Sequence, residues 1–576
     1  MDITVRQEGL KSVAGILFSC VYSIESIKVL AQNGIGTSRE FAIAGALAEL
    51  MERLQNLIIF DSKIGLSETD ILHVIPDMIE IDNLDALYAI NDKECASDIQ
   101  RVCEELIISP SGPIYVDKFY DVKNDTVVFL PHPNMILTTG SNGMCAGNTP
   151  AEAIVAGISE ILEREVLKQI YAENVIPPTI PDEFIKNWNY YKFTKSLNNK
   201  DITIIIKDCS LGKHFPVVGI IAVNNVTGRY KFALGSHPVF DYAMEHAFAE
   251  LYQGFNVEDI YELGKEMKLG NDPFESSTQI DRDNIRTINY IAQYSRGKGE
   301  IPEGIFYKDP TYEFESLVWD IFNNSASYEE DLKIFKELLI SNGSNIFVKD
   351  LSFLNFPTYY VYITKYSPIK CNLPWKTADI FKKIKLCRTT DLRTIYSDLA
   401  NSSVPEILKL ITFIDSFLSC PEIPEEEKTY GWIEAIFHSE VPEEYLIPPE
   451  YLLALLYHKV ENYEESYKKM DAFFHRYGVK RESQKYLFAF RDALFLLSKK
   501  YKTEEIETLL SNYYRKNCVS AVMTMLTIKN IMLMRIKSPK PADYKYYDAC
   551  KAILEKIGQK VKDSSINQYA IRDYFW

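Results

Sequence analysis

The chain is poor in the residues that build transition-metal centres and disulfide frameworks. Its ten cysteines lie scattered over 576 residues without a C-x-x-C pair. Reduced, mostly buried thiols are therefore expected, and a zinc ribbon, an iron–sulfur site or a disulfide-stapled fold is not. The eight histidines form no H-E-x-x-H and no other pair with metal-ligand spacing. A G-x-x-x-x-G-K-[ST] phosphate loop and a kinase signature are also absent. Positive charge is in deficit, with 63 Lys and Arg against 80 Asp and Glu and a formal net charge of −17. That balance argues against a general nucleic-acid or anionic-membrane binder, so neither is expected as a partner. No apolar run reaches the roughly 18–20 residues of a membrane span. The opening MDITVRQEGLKSV lacks the basic-then-apolar order of a secretion signal, and a cytoplasmic location is expected.

What is present is a long chain with 47% hydrophobic and 25% charged residues, enough for two or three domains. Strand-like runs at 202–208 and 215–225, NGSNIFVKDLS, and YYVYIT at 359–364 alternate with helical patterns at 38–56, 150–174 and 241–254. This predicts a mixed α/β or α+β domain. After about residue 390 the strand signal fades. Amphipathic segments such as PEYLLALLYHKV and YEESYKKMDAFFHRYG recur with short polar joins. They predict an all-α, loosely TPR-like domain over 391–576, behind a first domain over 1–390.

Chemistry concentrates on three helices. In GIGTSREFAIAGALAELMERLQN, Gly34 and Gly36 read as a flexible turn before an N-cap at Ser38. At about 100° per residue, Glu49, Glu52 and Arg53 share a sector with Ala42, Gly45 and Ala46. On this helix alone, a solvated Glu/Arg face and a ligand site stay equally open. SNGMCAGNTPAEAIVAGISEILERE repeats the design. Asn148 or Thr149 caps the helix, Pro150 fits its first turn, and Ile154, Ile158, Ile161 and Leu162 form an apolar face. Glu152 and Glu163 fall about 20° apart in projection, with Glu160 about 80° from Glu152. Arg164 follows Glu163 as Arg53 follows Glu52. Acidic strips that converge in a fold need cations, and an all-carboxylate set without histidine favours Mg2+, which shares its shell with phosphates. A third helix carries Glu250 and Gln253 three residues apart, which is weak as a motif and also fits a surface helix.

Together, GALAELMER at 45–53, SNGMCAGNTPAE with SEILER at 141–164, and ELYQ at 250–253 resemble the ATP-binding motifs of the YcaO family, in order and spacing over roughly residues 30–255. The helical tail is similar to the TPR-like domain of stand-alone bacterial members linked to β-methylthiolation of a ribosomal protein. The chain ends RDYFW, not in the P-x-P-x-P of azoline-forming members.

The resemblance implies a YcaO-type ATP-binding fold, usually dimeric, with ATP and Mg2+ as cofactors. It implies phosphorylation of a peptide or protein backbone amide for nucleophilic attack. It further implies that Glu49, Glu52, Glu152, Glu160 and Glu163 serve magnesium, and that Asn148, Arg164, Gln253, Glu250 and Arg53 contact nucleotide or phosphate. A peptide or protein substrate, and a partner protein docked through the helical tail, follow in the same way. Gly45 and Cys145 stand where the family usually has serine, and His246 where it has arginine. Gly34-Ile35-Gly36 replaces a Gly-Lys-Gly. A non-catalytic accessory factor of the same fold is the alternative these departures favour.

Overall fold

The computed structural model describes residues 3–13, 17–58, 78–106, 111–188, 201–252, 299–323, 325–369, 392–419, 428–437, 441–481, 484–540 and 546–576, with short pieces between them. Gln253 and Gly254 lie outside the described residues. The chain forms two compact units.

The first unit carries three antiparallel sheets. The N-terminal one is a meander of β1 (Val5–Val13), β2 (Leu17–Ile24) and β3 (Ile27–Gly36). A second meander joins β8 (Ile202–Asp208), β9 (Val217–Asn224) and β10 (Arg229–Ser236), edged by β11 (Lys265–Glu266). The third sheet runs β4 (Ile79–Asn83), β5 (Ser111–Asp121), β12 (Ile346–Asp350), β13 (Thr358–Ile363) and β7 (Met144–Ala146), with β6 (Thr126–Leu130) also on β5. Each of the three helices flagged by sequence follows a strand of a different sheet: α1 (Arg39–Gln55) follows β3, α2 (Pro150–Ala172) follows β7, and α3 (Phe240–Tyr252) follows β10.

Local chemistry explains these starts. The Ser38 and Thr149 side chains each accept an N–H of the first turn, from Phe41 and Glu152, so Thr149 is the cap of α2. At α3 the residue before the helix is Val239, which has no such oxygen. There the His237 ring accepts the Val239 N–H at 2.9 Å instead. Along α2, Ile154, Ile158, Ile161 and Leu162 are fully buried and pack with Val348, Val361, Phe335 and Leu339. Leu339 and Phe335 come from α4 (Tyr328–Ser341).

Two expectations need correction. Gly34 and Gly36 are not a flexible turn but the last residues of a paired strand, with Gly34 opposite Cys20 and Gly36 opposite Phe18. A Cβ on Gly34 would lie 2.2 Å from Ala42 O and 2.2 Å from Ala46 N, so glycine is there for close approach of α1. The single cut after residue 390 also changes, because Ala549–Trp576 belongs with the first unit. Ile571 and Phe575, each 1% exposed, enter the core built on α2. The Gln568 side chain accepts the Asp350 N–H and donates to its carbonyl. Arg572 Nε is 3.0 Å from Asp125 Oδ2.

The second unit, within Pro374–Asp548, has no strand among its described residues. Its helices include α5 (Val404–Ser419), α6 (Pro449–Lys459), α7 (Tyr463–Tyr477), α8 (Lys485–Ser498), α9 (Thr503–Ser511) and α10 (Lys516–Thr527). Leu452, Leu456, Met470, Phe490 and Leu494 form its interior, and Ser466 Oγ donates to Ala454 O between α6 and α7. Gly478, with φ +57°, closes α7 in the left-handed conformation. No described helix of either unit is long and apolar enough to cross a membrane.

Candidate ATP and magnesium site

The three strand-to-helix units are copies of one pattern. Aligning α1 on α2 matches AIAGALAELMER with AIVAGISEILER, which superimposes Glu49 on Glu160, Glu52 on Glu163 and Arg53 on Arg164. The same frame places Glu250 of α3 on Glu49, and Gly45 on His246. Gly235, at the end of β10, takes the role of Gly34, since a Cβ there would meet Ala243 O at 2.2 Å and Ala247 N at 2.4 Å. Each unit therefore presses a strand end against the first turns of its helix and delivers a carboxylate from the same helical position.

Those carboxylates converge. The charge of Glu160 bears on Glu52, those of Glu49 and Glu250 bear on Glu160, and that of Glu250 bears on Glu163. Only two guanidinium groups answer them. Arg53 lies 3.3 Å from Glu49 Oε1 and 3.1 Å from Glu52 Oε1, and Arg164 lies 3.9 Å from Glu160 Oε1. Arg164 also stacks over the Tyr294 ring at 4.8 Å. The result is an excess of negative charge in crowded surroundings. Burial, with help from neighbouring carboxylates, holds Glu52 and Glu160 above the usual range and pushes Glu163 to about 8. Glu49 and Glu250 are raised by burial as well. The side chains are still reachable, with Glu49 32% and Glu160 31% exposed. Raised pKa values and partly exposed side chains together describe carboxylates that are crowded yet open to a ligand.

The residues fit a phosphate–cation ligand on a separate ground. Arg53 Nη1 and Arg164 Nε are buried and make no hydrogen bond; each instead faces a carboxylate in an ion pair, Glu52 at 3.1 Å and Glu160 at 3.9 Å, so both guanidinium groups can turn to an anion that arrives with a cation. Among the described residues, no three His, Cys, Asp or Glu side chains are close enough to grip a bare metal ion directly. Such a donor set suits a hydrated cation that shares its shell with phosphates, which is the habit of Mg2+.

Other flagged residues lie elsewhere. Glu152 is apart from the coupled group. Its place near Glu163 in projection ignores helical rise, which separates them by about 16 Å along α2. Its carboxylate instead accepts the Asn148 N–H and side-chain amide, both at 3.1 Å, at the start of the helix. His246 faces Ser236 O at 3.3 Å and the His237 ring at 5.9 Å, and burial holds it below the ordinary histidine range, hence neutral. Cys145 is buried in β7, and its thiol is held well above the usual range by burial and the charges of Glu52 and Glu160. That is the reverse of an activated nucleophile. Sequence reasoning missed Tyr294 and Lys231. The latter sits on β10 where Glu250 acts on it, and burial lowers it to about 8. Neither stands in a motif, so only the fold brings them in.

Glutamates from α1, α2 and α3 and arginines from α1 and α2 thus act on one another as one cluster. The chain belongs to the YcaO family, described as YcaO cyclodehydratase, ATP- and Mg2+-binding, whose match covers residues 33–367. ATP and Mg2+ are accordingly its cofactors. The fold is the mixed helix-and-sheet YcaO fold, and the C-terminal region is helical. An uncharacterised protein of Haemophilus influenzae is 26% identical over 337 residues, covering 56% of this chain and 55% of that one. The ribosomal protein S12 methylthiotransferase accessory factor YcaO of Escherichia coli is 26% identical over 342 residues, with the same shares. The match thus spans about half the length of these relatives. Among solved structures, a heterocyclase in complex with substrate and cofactor superimposes with TM-score 0.42 and 13% identity, covering 63% of this chain and 49% of that one. The YcaO protein of Methanopyrus kandleri bound with AMPPCP and Mg2+ gives 0.36 and 16%, covering 63% and 85%. Likenesses this remote carry no argument about mechanism.

Proposed function

We propose that the first unit uses ATP and Mg2+ to phosphorylate a backbone amide oxygen of a peptide or protein, making it a leaving group for a nucleophile that attacks the amide carbon. The single observation behind this reading is the set of mutually coupled carboxylates on α1, α2 and α3, raised by burial and answered by Arg53, Arg164 and Lys231 among the described residues. When bound, the nucleotide supplies the phosphoryl group. Glu49, Glu52, Glu160, Glu163 and Glu250 would hold Mg2+ through its shell, and Arg53 and Arg164 would turn from their paired glutamates to phosphate oxygens. Glu152, whose carboxylate now takes the Asn148 N–H and amide at the start of α2, would turn to Mg2+ and leave Asn148 to a phosphate. Gln253 belongs to the same set by its place in the repeat. The work of these residues is charge stabilisation and positioning. The TPR-like second unit would dock a partner or substrate protein, with the whole acting as a cytoplasmic homodimer in peptide or ribosomal-protein modification.

A second reading is an accessory factor that catalyses nothing, in ribosomal-protein methylthiolation. The name of the Escherichia coli relative favours it, as does the neutral His246. Isothermal titration with ATP and Mg2+ separates the two. Magnesium-dependent ATP binding by the parent, lost in Glu52→Ala and Glu163→Ala, is the expected result. A parent that binds no ATP would sink the enzyme reading, and variants that bind as well as the parent would sink the site assignment.

A further inference from the structure

The repeated units differ at one packing contact, and the difference gives Cys145 a role. In the first and third units the strand contributes glycine and the helix alanine, Gly34 against Ala46 and Gly235 against Ala247. In the middle unit the bulk is exchanged. Cys145 takes the strand position and Gly157 the helix position, and a Cβ on Gly157 would fall 2.7 Å from Cys145 Sγ and 3.1 Å from its Cβ. One sulfur on the strand thus fills the space that one methyl on the helix fills elsewhere. The strand concerned is β7, which touches both α1 and α2. Cys145 is 3% exposed, its Sγ lies 3.5 Å from Tyr359 O on the neighbouring strand, and the charges of Glu52 on α1 and Glu160 on α2 both reach it.

We propose that Cys145 is a positioning residue whose side chain, matched to Gly157, sets the spacing of β7 from α2 and so the register of Glu160 and Glu163 against Glu49 and Glu52. It acts as a spacer and takes no part in bond making. The proposal rests on the ATP-site reading above, and the exchanged pair gives it a test of its own. Cys145→Gly leaves a gap, and Gly157→Ala alone overpacks the contact. The double variant Cys145→Gly/Gly157→Ala rebuilds the arrangement of the other two units.

The experiment measures magnesium-dependent ATP binding and thermal midpoint on the full chain for the parent, both single variants, the double variant and Cys145→Ser. Each of Cys145→Gly and Gly157→Ala is expected to weaken binding about tenfold, since small displacements of ligating groups are costly. The double variant is expected to return to within about threefold of the parent, a non-additivity that independent sites do not show. Cys145→Ser is expected to match the parent. A double variant with the parent's thermal midpoint but the binding of the worse single variant would overturn the proposal. So would Cys145→Ser that binds ATP normally yet abolishes its turnover, because that is the mark of a nucleophile. If the parent binds no ATP, the proposed function fails alone. The positioning claim is then read from carboxylate titration by carbon-13 NMR, where both single variants should shift the glutamate curves and the double variant should restore them. Curves unmoved by the single variants would overturn it.

Discussion

The helical second unit and the glutamate cluster of the first treat charge in opposite ways. In the helical second unit, acidic groups largely find basic or hydroxyl partners. Lys469 pairs with Asp415 at 2.5 Å, and Tyr457 also donates to Asp415. Arg476 pairs with Glu450 at 2.6 Å, and Arg491 bridges Asp471 and Asp492. These pairs join helices, as α7 to α6 and α8 to α7, and they do structural work. In the first unit, glutamates from α1, α2 and α3 are collected with too few cations, and their proton affinities rise in consequence. A fold tolerates such an arrangement at a cost in stability when a ligand completes it. Charge left unanswered in a crowded cluster marks function, and charge answered at a helix contact marks architecture.

The largest test of that contrast is the removal of site carboxylates. Glu52→Ala and Glu163→Ala are each expected to cut Mg2+-dependent ATP affinity about 100-fold or more, on the scale of lost metal-supporting groups. Glu163→Gln should at the same time leave the thermal midpoint of the ligand-free chain unchanged or raised, because it relieves repulsion. Calorimetry with and without Mg2+ checks both outcomes. A smaller effect of opposite kind is expected in the second unit. Glu450→Ala takes the carboxylate from Arg476 and should cost about 1–2 kcal/mol, the scale of a hydrogen bond to a charged group. It should leave ATP affinity within error. Denaturant unfolding followed by the same titration checks this, and lost ATP binding would erase the distinction between the units.

Much of this was legible in the sequence, for identifiable reasons. α2 announced itself through Thr149, Pro150 and a long apolar face, and β8 and β9 through near-continuous apolar runs, buried throughout β9 and in β8 at all but Thr203 and Ile205. The convergence of the E-x-x-E-R helices was legible because the motif occurs twice. The N-terminal meander was not, since VRQEGLKSV is polar and half exposed and carries no two-residue alternation. The place of Glu152 at the start of α2, about 16 Å along the helix from Glu163, was not legible because a projection down the helix discards axial distance. The return of the C-terminus was invisible because RDYF is too short for a period, and its hold rests on distant partners, Asp350 and Asp125. Cys145 looked like a departure from the serine of related chains. Its meaning lies across a packing contact with Gly157, twelve residues on in sequence but a neighbour only in the fold.

Proton linkage gives the finest discrimination, because the crowded glutamates of the first unit and the buried His458 of the second should respond to pH with opposite sign. Glu163 is raised from 4.5 to about 8, mainly by burial and further by Glu250 and Glu160. A carboxyl whose folded pKa exceeds its unfolded value keeps a proton that the unfolded chain releases. Its contribution to stability is fully present below about 4.5 and is lost as pH rises through about 8. Glu52 and Glu160 add in the same direction. In the second unit, His458 is pushed down to about 4 by burial, with Lys529 adding to the effect. Its contribution is fully present above about 6.5 and is lost as pH falls towards about 4. Binding of Mg2+ and ATP should expel the glutamate protons, because the cation takes over their neutralising role. Titrations at pH 7 in buffers of different ionisation enthalpy should therefore show net proton release, reduced in Glu163→Gln, unchanged in His458→Gln, and fading as pH passes about 9. Proton uptake on binding, or release that Glu163→Gln leaves intact, would show that the crowded carboxylates are not the groups that meet the cation.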